Sequence, residues 1–253
     1  MVSTRTEQKN RLSLKFPNFK CFFRLSVGVF GACLAVNGIA QGVRDSPKPA
    51  SLDPLPPRVC KKMSLIDRIS QHSWMFNSGN PAKQQHFQEL FQKSGLTPPK
   101  FLKTDVKEID ASHTEVVVHK ASSMLADWVL VEDSALDIEG ENIGIHIKWH
   151  VHKMKQWIGK TAKFTAKLAY KVDGIVYVFS GEVTGKIVSP RGKTKKGAEF
   201  DPYFLPDGSE KTMAEGVDEQ FSARAIAMRK LVNSQVDLCT EPIIRWEGPW
   251  QQS

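Results

Sequence analysis

Two short stretches of this 253-residue chain carry residue types and spacings that do chemistry. The first, Glu132-Asp133-Ser134, directly follows the apolar run Val129-Leu130-Val131. Carboxylates at the carboxyl end of a buried strand face the crevice where α/β sheets bind ligands, and their hard oxygens suit Mg2+. The second, Ser78-Gly79-Asn80-Pro81-Ala82-Lys83, sets a hydroxyl, an amide and an ammonium on a strand-to-helix turn. Backbone N–H groups at a helix start attract anions, and Lys83 adds a positive charge. Taken singly, the first also reads as a solvated strand end and the second as a capped turn.

Other constellations fall away on spacing. Gly192-Lys193-Thr194 is no phosphate loop, because the first glycine of that pattern would fall at Ile187. Lys193, Lys195 and Lys196 read as a solvated basic loop near a cleft. His146, His150 and His152 could place two imidazoles on one metal, but no cysteine lies nearby, and they read as exposed or satisfied histidines. Trp246 and Trp250 flank Gly248-Pro249 and read as a tail that packs back on the body rather than as a stacking platform.

The elements that must position these residues alternate between strand and helix. Trp74 to Ser78 reads as a strand ending in a Gly-Asn-Pro turn, and Phe87, Leu90 and Phe91 mark the buried face of the helix that follows, stopped by Gly95. A second helix is expected from His113 to Ala126, before a strand at Trp128 to Val131. Ile147 to Ile158 reads as helical. Lys163 to Val172 and Ile175 to Phe179 form a hairpin about Asp173-Gly174. A last helix carries Phe221, Ala225, Met228 and Val232 on one side. The expected class is therefore α/β with a mixed sheet.

The charge is unevenly placed. Residues 1–62 hold eleven of the 35 Lys and Arg but three of the 27 Asp and Glu, so this leader carries the whole excess of +8. The remaining chain is balanced, which argues against a nucleic-acid partner. Within the leader, basic residues up to Arg24 precede the apolar run Leu25 to Val36 and then Gly38-Ile39-Ala40, the order of a secretory signal. The twelve residues of that run are too few for a stable membrane span. An organelle-targeting leader and a true start at Met63 are the competing readings. A Pro-rich linker at 46–57 separates leader from body, so the division expected is a leader and linker at 1–62 and one domain at 63–253. Three cysteines, Cys21, Cys33 and Cys60, fall in the leader and Cys239 alone in the body, so no disulfide framework is expected. Fibrous, collagen-like and disulfide-dense classes are excluded.

Read together, the motifs resemble the inosine triphosphate pyrophosphatase family of house-cleaning nucleotide hydrolases. Ser78-Gly79-Asn80 with Lys83, Val129 to Ser134, Ile147-Lys148-Trp149, Phe179 to Gly192, Phe200-Asp201-Pro202-Tyr203-Phe204, Pro206-Asp207-Gly208 and Thr212-Met213-Ala214-Glu215 follow the family in order and spacing. The resemblance covers Trp74 to Val232. It implies a long mixed central sheet with two lobes flanking a nucleotide cleft, a homodimer, and a cytoplasmic enzyme unless the leader directs export or organelle targeting. It further implies Mg2+-dependent hydrolysis of inosine, deoxyinosine and xanthosine triphosphates to monophosphate and pyrophosphate. By position, Asp133 would be the catalytic carboxylate and a metal ligand, with Glu108 as the second metal-ligand acid. Lys83, Lys120 and Lys148 would contact phosphates, and Ser78, Asn80, Ser134, Phe200, Asp201, Ser222 and Arg224 would complete the substrate site. The physics agrees: a triphosphate carries about four negative charges, which a metal and lysines must neutralise in a partly dry site.

Three positions depart from the family pattern. Ala198 stands where an aromatic ring would stack on the base, Ala223 where a histidine would hydrogen-bond, and Asp218 where a lysine would sit. The alternative they raise is a catalytically weak or re-specialised nucleotide-binding protein of the same fold.

Overall fold

Among residues 73–251, the part described by a computed structural model, seven strands form one open mixed sheet flanked by four α-helices. The leader, the linker, the Met63 start and Cys21, Cys33 and Cys60 lie outside the described residues. The strands are β1 (Met75–Asn77), β2 (Lys100–Leu102), β3 (Val129–Ile138), β4 (Thr161–Val172), β5 (Ile175–Ile187), β6 (Phe204–Pro206) and β7 (Leu238–Thr240). The helices are α1 (Pro81–Lys93), α2 (His113–Ser122), α3 (Ile147–His150) and α4 (Ala223–Val232). The order is β2-β1-β3-β4-β5-β6, with β7 also on β5; β1 is parallel to β2 and β3, and the other pairs are antiparallel.

Side-chain alternation along β3, β4 and β5 builds three cores. On one face Leu130, Leu168, Tyr170 and Phe179 pack against Phe87 and Phe91 of α1 and Met228 and Leu231 of α4. On the other face Val129, Val131, Ala169, Val176 and Val178 pack against Val117, Val118 and Ala121 of α2. Farther along the same strands Leu136, Phe164, Val183 and Ile187 meet Ile147, Met154, Trp157, Phe200 and Phe204 in the second lobe. The three strands thus run through both lobes.

Several elements differ from the sequence expectation, each for a local reason. α2 ends at Ser122 rather than Ala126, because Lys171 Nζ takes the carbonyls of Ser122 and Met124 (3.5 and 2.8 Å). β3 begins at Val129 because Trp128 adopts a left-handed conformation (φ 61°), its ring stacked 5.2 Å from Tyr170. The expected single helix at 147–158 is α3 followed by a 3-10 helix, Val151–Trp157, whose three-residue period aligns Val151, Met154 and Trp157 on the lobe core. β5 continues to Ile187, since burial alternates through Gly181, Val183 and Gly185. Phe221 precedes α4 in a short 3-10 helix, and the buried side of α4 is instead Arg224, Ala227, Met228 and Leu231 with its neighbours. Cys239 is disulfide-bonded.

Gly181 sets how closely α4 approaches the sheet. A Cβ there would lie 2.0 Å from the Ala223 carbonyl oxygen. Gly181→Val should lower unfolding stability by about 1–3 kcal/mol or more, read from denaturant midpoints, because backbone rather than a flexible side chain must give way.

Candidate active site

Glu132 and Asp133 are neighbours in mid-strand, not at a strand end as the sequence suggested. β1 pairs with β3 only as far as Asn77↔Val131, and the isolated bridge Leu136↔Gly144 takes up the same edge again. Between them, at 132–135, no strand covers that edge among the described residues. The crevice therefore lies at the carboxyl end of β1, where α/β sheets bind ligands. Successive side chains point to opposite faces, so Glu132 and Ser134 face α1 and α4, whereas Asp133 faces α2.

On the α2 face, His113 and Lys120 are seven residues apart and share one side of the helix, whose start is fixed by a Ser112–Glu115 capping box. Lys120 Nζ donates to Asp133 Oδ1 at 2.5 Å and lies 2.7 Å from Glu108 Oε1. Lys148 Nζ pairs with the other oxygen of Glu108, and His113 Nε2 lies 3.2 Å from Asp133 Oδ2. Burial pushes the Asp133 carboxyl up, but Lys120 and His113 outweigh it and hold the group well below the usual range. Glu108 is also lowered, Lys120 and Lys148 overcoming its desolvation. Burial opposes the charge on Lys120, yet Asp133 and Glu108 raise its pKa. Glu108, Lys120, Asp133 and Lys148 thus come together as expected.

On the opposite face, Glu132 receives Lys83 Nζ at 2.5 Å, Arg224 Nε at 3.0 Å and Ser134 Oγ at 2.5 Å, while Arg224 Nη2 donates to Ser134 Oγ at 3.0 Å. Desolvation acts to raise Glu132, but Lys83 and Arg224 bring it down to about 2. Asn80 caps α1, its Oδ1 accepting from the amides of Ala82 and Lys83 (2.9 and 3.2 Å), so what the turn offers an anion is the Lys83 ammonium. Ser78 Oγ accepts from Asn80 N at 3.2 Å, and Asn80 Nδ2 donates to the Gly197 carbonyl at 2.8 Å.

A cleft of about 210 Å³ opens on this face between α1, the 195–201 loop and the start of α4. Its lining includes His86, Lys195, Ala198, Asp201, Ser222 and Arg224. Burial raises Asp201 to about 6, and its Oδ1 is buried with no hydrogen-bond partner among the described residues. Burial, then Arg224, lowers His86 to about 4, leaving a neutral imidazole. Ser222 Oγ is used as the α4 cap, accepting from Ala225 N at 3.3 Å. Phe200 lies in the second-lobe core, its ring 5.2 Å from Phe164. Of the three departures, only Ala198 lines the cleft; Ala223 is fully buried and Asp218 exposed. His146 pairs with Asp110 at 3.1 Å, consistent with a satisfied histidine.

Two carboxylates from separate elements reach one cationic atom, and two carboxylates completed by phosphates and water form a donor set for Mg2+. No cluster of three or more His, Cys, Asp or Glu able to hold a metal occurs among the described residues, so an ion here would be held jointly with a ligand. The sequence reading gave no role to His86 or His113, and it grouped Glu132 with Asp133 as a crevice carboxylate suited to Mg2+ rather than as the partner of Lys83 and Arg224. The acid in Val131-Glu132-Asp133 was visible, but its facing partners on α1 and α4 are distant in sequence.

Glu132→Gln leaves Lys83 and Arg224 buried beside a neutral amide, and should cost about 3–5 kcal/mol of stability in denaturant titrations. Since the folded pKa of Glu132 lies below its ordinary 4.5, its contribution is full above pH 4.5 and fades down to about 2. The acid limb of the stability profile should flatten in the variant.

The sequence pattern of the Ham1 family matches residues 74–234. A dITP/XTP pyrophosphatase of Thermococcus kodakarensis is 31% identical over 178 residues, covering 62% of this chain and 94% of that protein. One of the same name from Korarchaeum cryptofilum is 31% identical over 176 residues, 62% of this chain and 92% of that protein. An inosine triphosphate pyrophosphatase of Scheffersomyces stipitis is 34% identical over 146 residues, 50% of this chain and 74% of that protein. With the matched stretch spanning the whole sheet but β7, and both charged clusters within it, the chain belongs to the Ham1 family.

Proposed function

We propose that this protein is a nucleoside triphosphate pyrophosphatase that hydrolyses aberrant purine nucleotides (ITP, dITP and XTP) to monophosphate and pyrophosphate with Mg2+. The observation that carries the reading is the meeting of Glu108 and Asp133 on the Lys120 ammonium, with Lys148 alongside. The names of the relatives support the substrate class.

The nucleotide crosses the open edge of β3. Its base enters the cleft between α1 and α4, and its phosphates reach the α2 face. Lys83, Lys120 and Lys148 neutralise phosphate oxygens, each exchanging a carboxylate partner for the incoming anion. Glu108 and Asp133 would hold Mg2+, which neutralises phosphate charge and polarises the bond to be cleaved. Asp133, ionised across the neutral range, accepts a hydrogen bond from the attacking water and aims it, while His113 fixes the carboxylate from the other side. In the cleft, Asp201 accepts a hydrogen bond from a base that carries N1–H, as hypoxanthine and xanthine do and adenine does not. Ser78, Asn80, Ser134 and Ser222 hold the surrounding turns and side chains in place, and Phe200 backs the second-lobe wall.

One observation favours a second reading, a re-specialised or catalytically weak nucleotide binder. Ala198 presents no ring to the cleft and Phe200 is committed to the core. Binding of a non-hydrolysable triphosphate without pyrophosphate release would select it. The leading reading includes a homodimer, read from its mass by light scattering, and a cytoplasmic location. Among the described residues no helix is long and apolar enough to cross a membrane.

The deciding experiment is a nucleoside triphosphate panel scored for pyrophosphate against phosphate release, with and without Mg2+. Asp133→Asn should lower kcat by at least about 100-fold with the fold retained by circular dichroism; unchanged turnover sinks the assignment. Asp201 takes up a proton as pH falls through about 6, so the KM for ITP should rise between pH 7 and 5. Asp201→Asn should lose that part of the slope, leaving only the titration of the ligand itself.

A further inference from the structure

We propose that residues 243–251, beyond the stretch matched by the family, form a strap that positions the Glu108–Lys120 pair, with Trp250 as its anchor. The proposal rests on the reading of Glu108 and Lys120 as active-site groups.

Glu108 sits four residues beyond Thr104, where two hydrogen bonds with the Asn77 side chain hold the start of its segment. The segment 103–112 belongs to no strand or helix, and its one bridge of sheet type is Ile109↔Trp250. The strap bonds both sides of that bridge. Gln251 N donates to the carbonyl of Glu108 itself at 3.0 Å, Asp110 N donates to the Pro249 carbonyl at 2.9 Å, and Gln251 Nε2 donates to the Ile109 carbonyl at 2.9 Å. At its other end Ile243 N donates to Ser122 Oγ of α2 at 2.9 Å. The strap therefore ties the Glu108 segment to the helix that carries Lys120.

Trp250 touches the chain neighbour of each charged partner. Lys107 Nζ lies 4.4 Å above the indole, and the His119 ring meets it edge-on at 5.7 Å. A turn closed by Trp246 Nε1 donating to the Pro249 carbonyl at 2.9 Å presents the ring, and Gly248 leaves room for the Trp246 indole, which a Cβ there would meet at 2.6 Å. A carboxylate that serves a metal or phosphate site must be held to a fraction of an ångström. The strap adds that restraint on the Glu108 side of the segment, beyond the Asn77 bonds at Thr104.

The test uses the full-length chain and its Trp250→Ala and Trp250→Phe variants. Amide hydrogen exchange without metal or nucleotide should quicken several-fold over 105–112 in Trp250→Ala and stay unchanged over β4 and β5. With Mg2+, kcat for ITP should fall about 10- to 100-fold while KM moves little, as expected for a displaced reacting group. Trp250→Phe keeps an aromatic face toward Lys107 and should recover most of both. Unchanged exchange over 105–112, unchanged kcat, or Phe no better than Ala would each overturn the strap. If even the wild type releases no pyrophosphate from any triphosphate, the pyrophosphatase reading falls, and the exchange measurement still decides the strap.

Discussion

Two adjacent carboxylates on one buried strand create the constraint that organises this molecule. Glu132 and Asp133 are both nearly removed from water, and an unpaired buried charge is costly enough that each must meet cations on its own side of the sheet. Because neighbouring strand residues face opposite ways, the answer cannot come from a single helix. α1 and α4 supply Lys83 and Arg224 to one face; α2 supplies Lys120 and His113 to the other. The arrangement of helices about the sheet and the placement of charge are thus one problem with one solution.

The same strand is left uncovered where those acids lie. β1 stops short and turns into α1, so the two clusters are separated by the thickness of one strand yet both border a common gap. A polyphosphate ester is long enough to lie across such an edge. In the proposed reading its phosphates would run from Lys83 past that edge to Lys120 and Lys148, with its base in the cleft on the α1 and α4 side. Lys83, Lys120 and Lys148 are each already paired with a carboxylate, so an anion arriving at them competes with an internal one rather than entering a bare positive hole.

How much of this could be read from the chain depends on the range of the interactions involved. The strand and helix classes, the α1 turn and the Asp173-Gly174 hairpin follow from local periodicity and turn chemistry, and all are present. Lys83, Asp133 and Lys148 were singled out because they stand in ordered motifs, and Glu108 and Lys120 by their positions relative to those motifs. What local pattern could not show was pairing. β3 passes through its acidic residues because β4 supports them from Ala162 to Ala169, and β5 runs through two glycines because α4 and β6 press on that face. Phe200 was expected beside the substrate on motif position, but the second lobe uses its ring as core. His86 and His113 gave no signal, since a lone histidine acquires meaning only from what faces it.

The hydrogen bond from Asn80 to the Gly197 carbonyl joins α1 to the basic loop on the opposite wall of the cleft, and the left-handed glycine (φ 84°) admits no β-carbon there. One side chain therefore both starts a helix and sets the gauge of the opening above it. Any widening of the cleft has to pivot about this tie or break it, and because the same side chain holds the first helical turn through its other atom, the hinge of the opening lies at the start of α1.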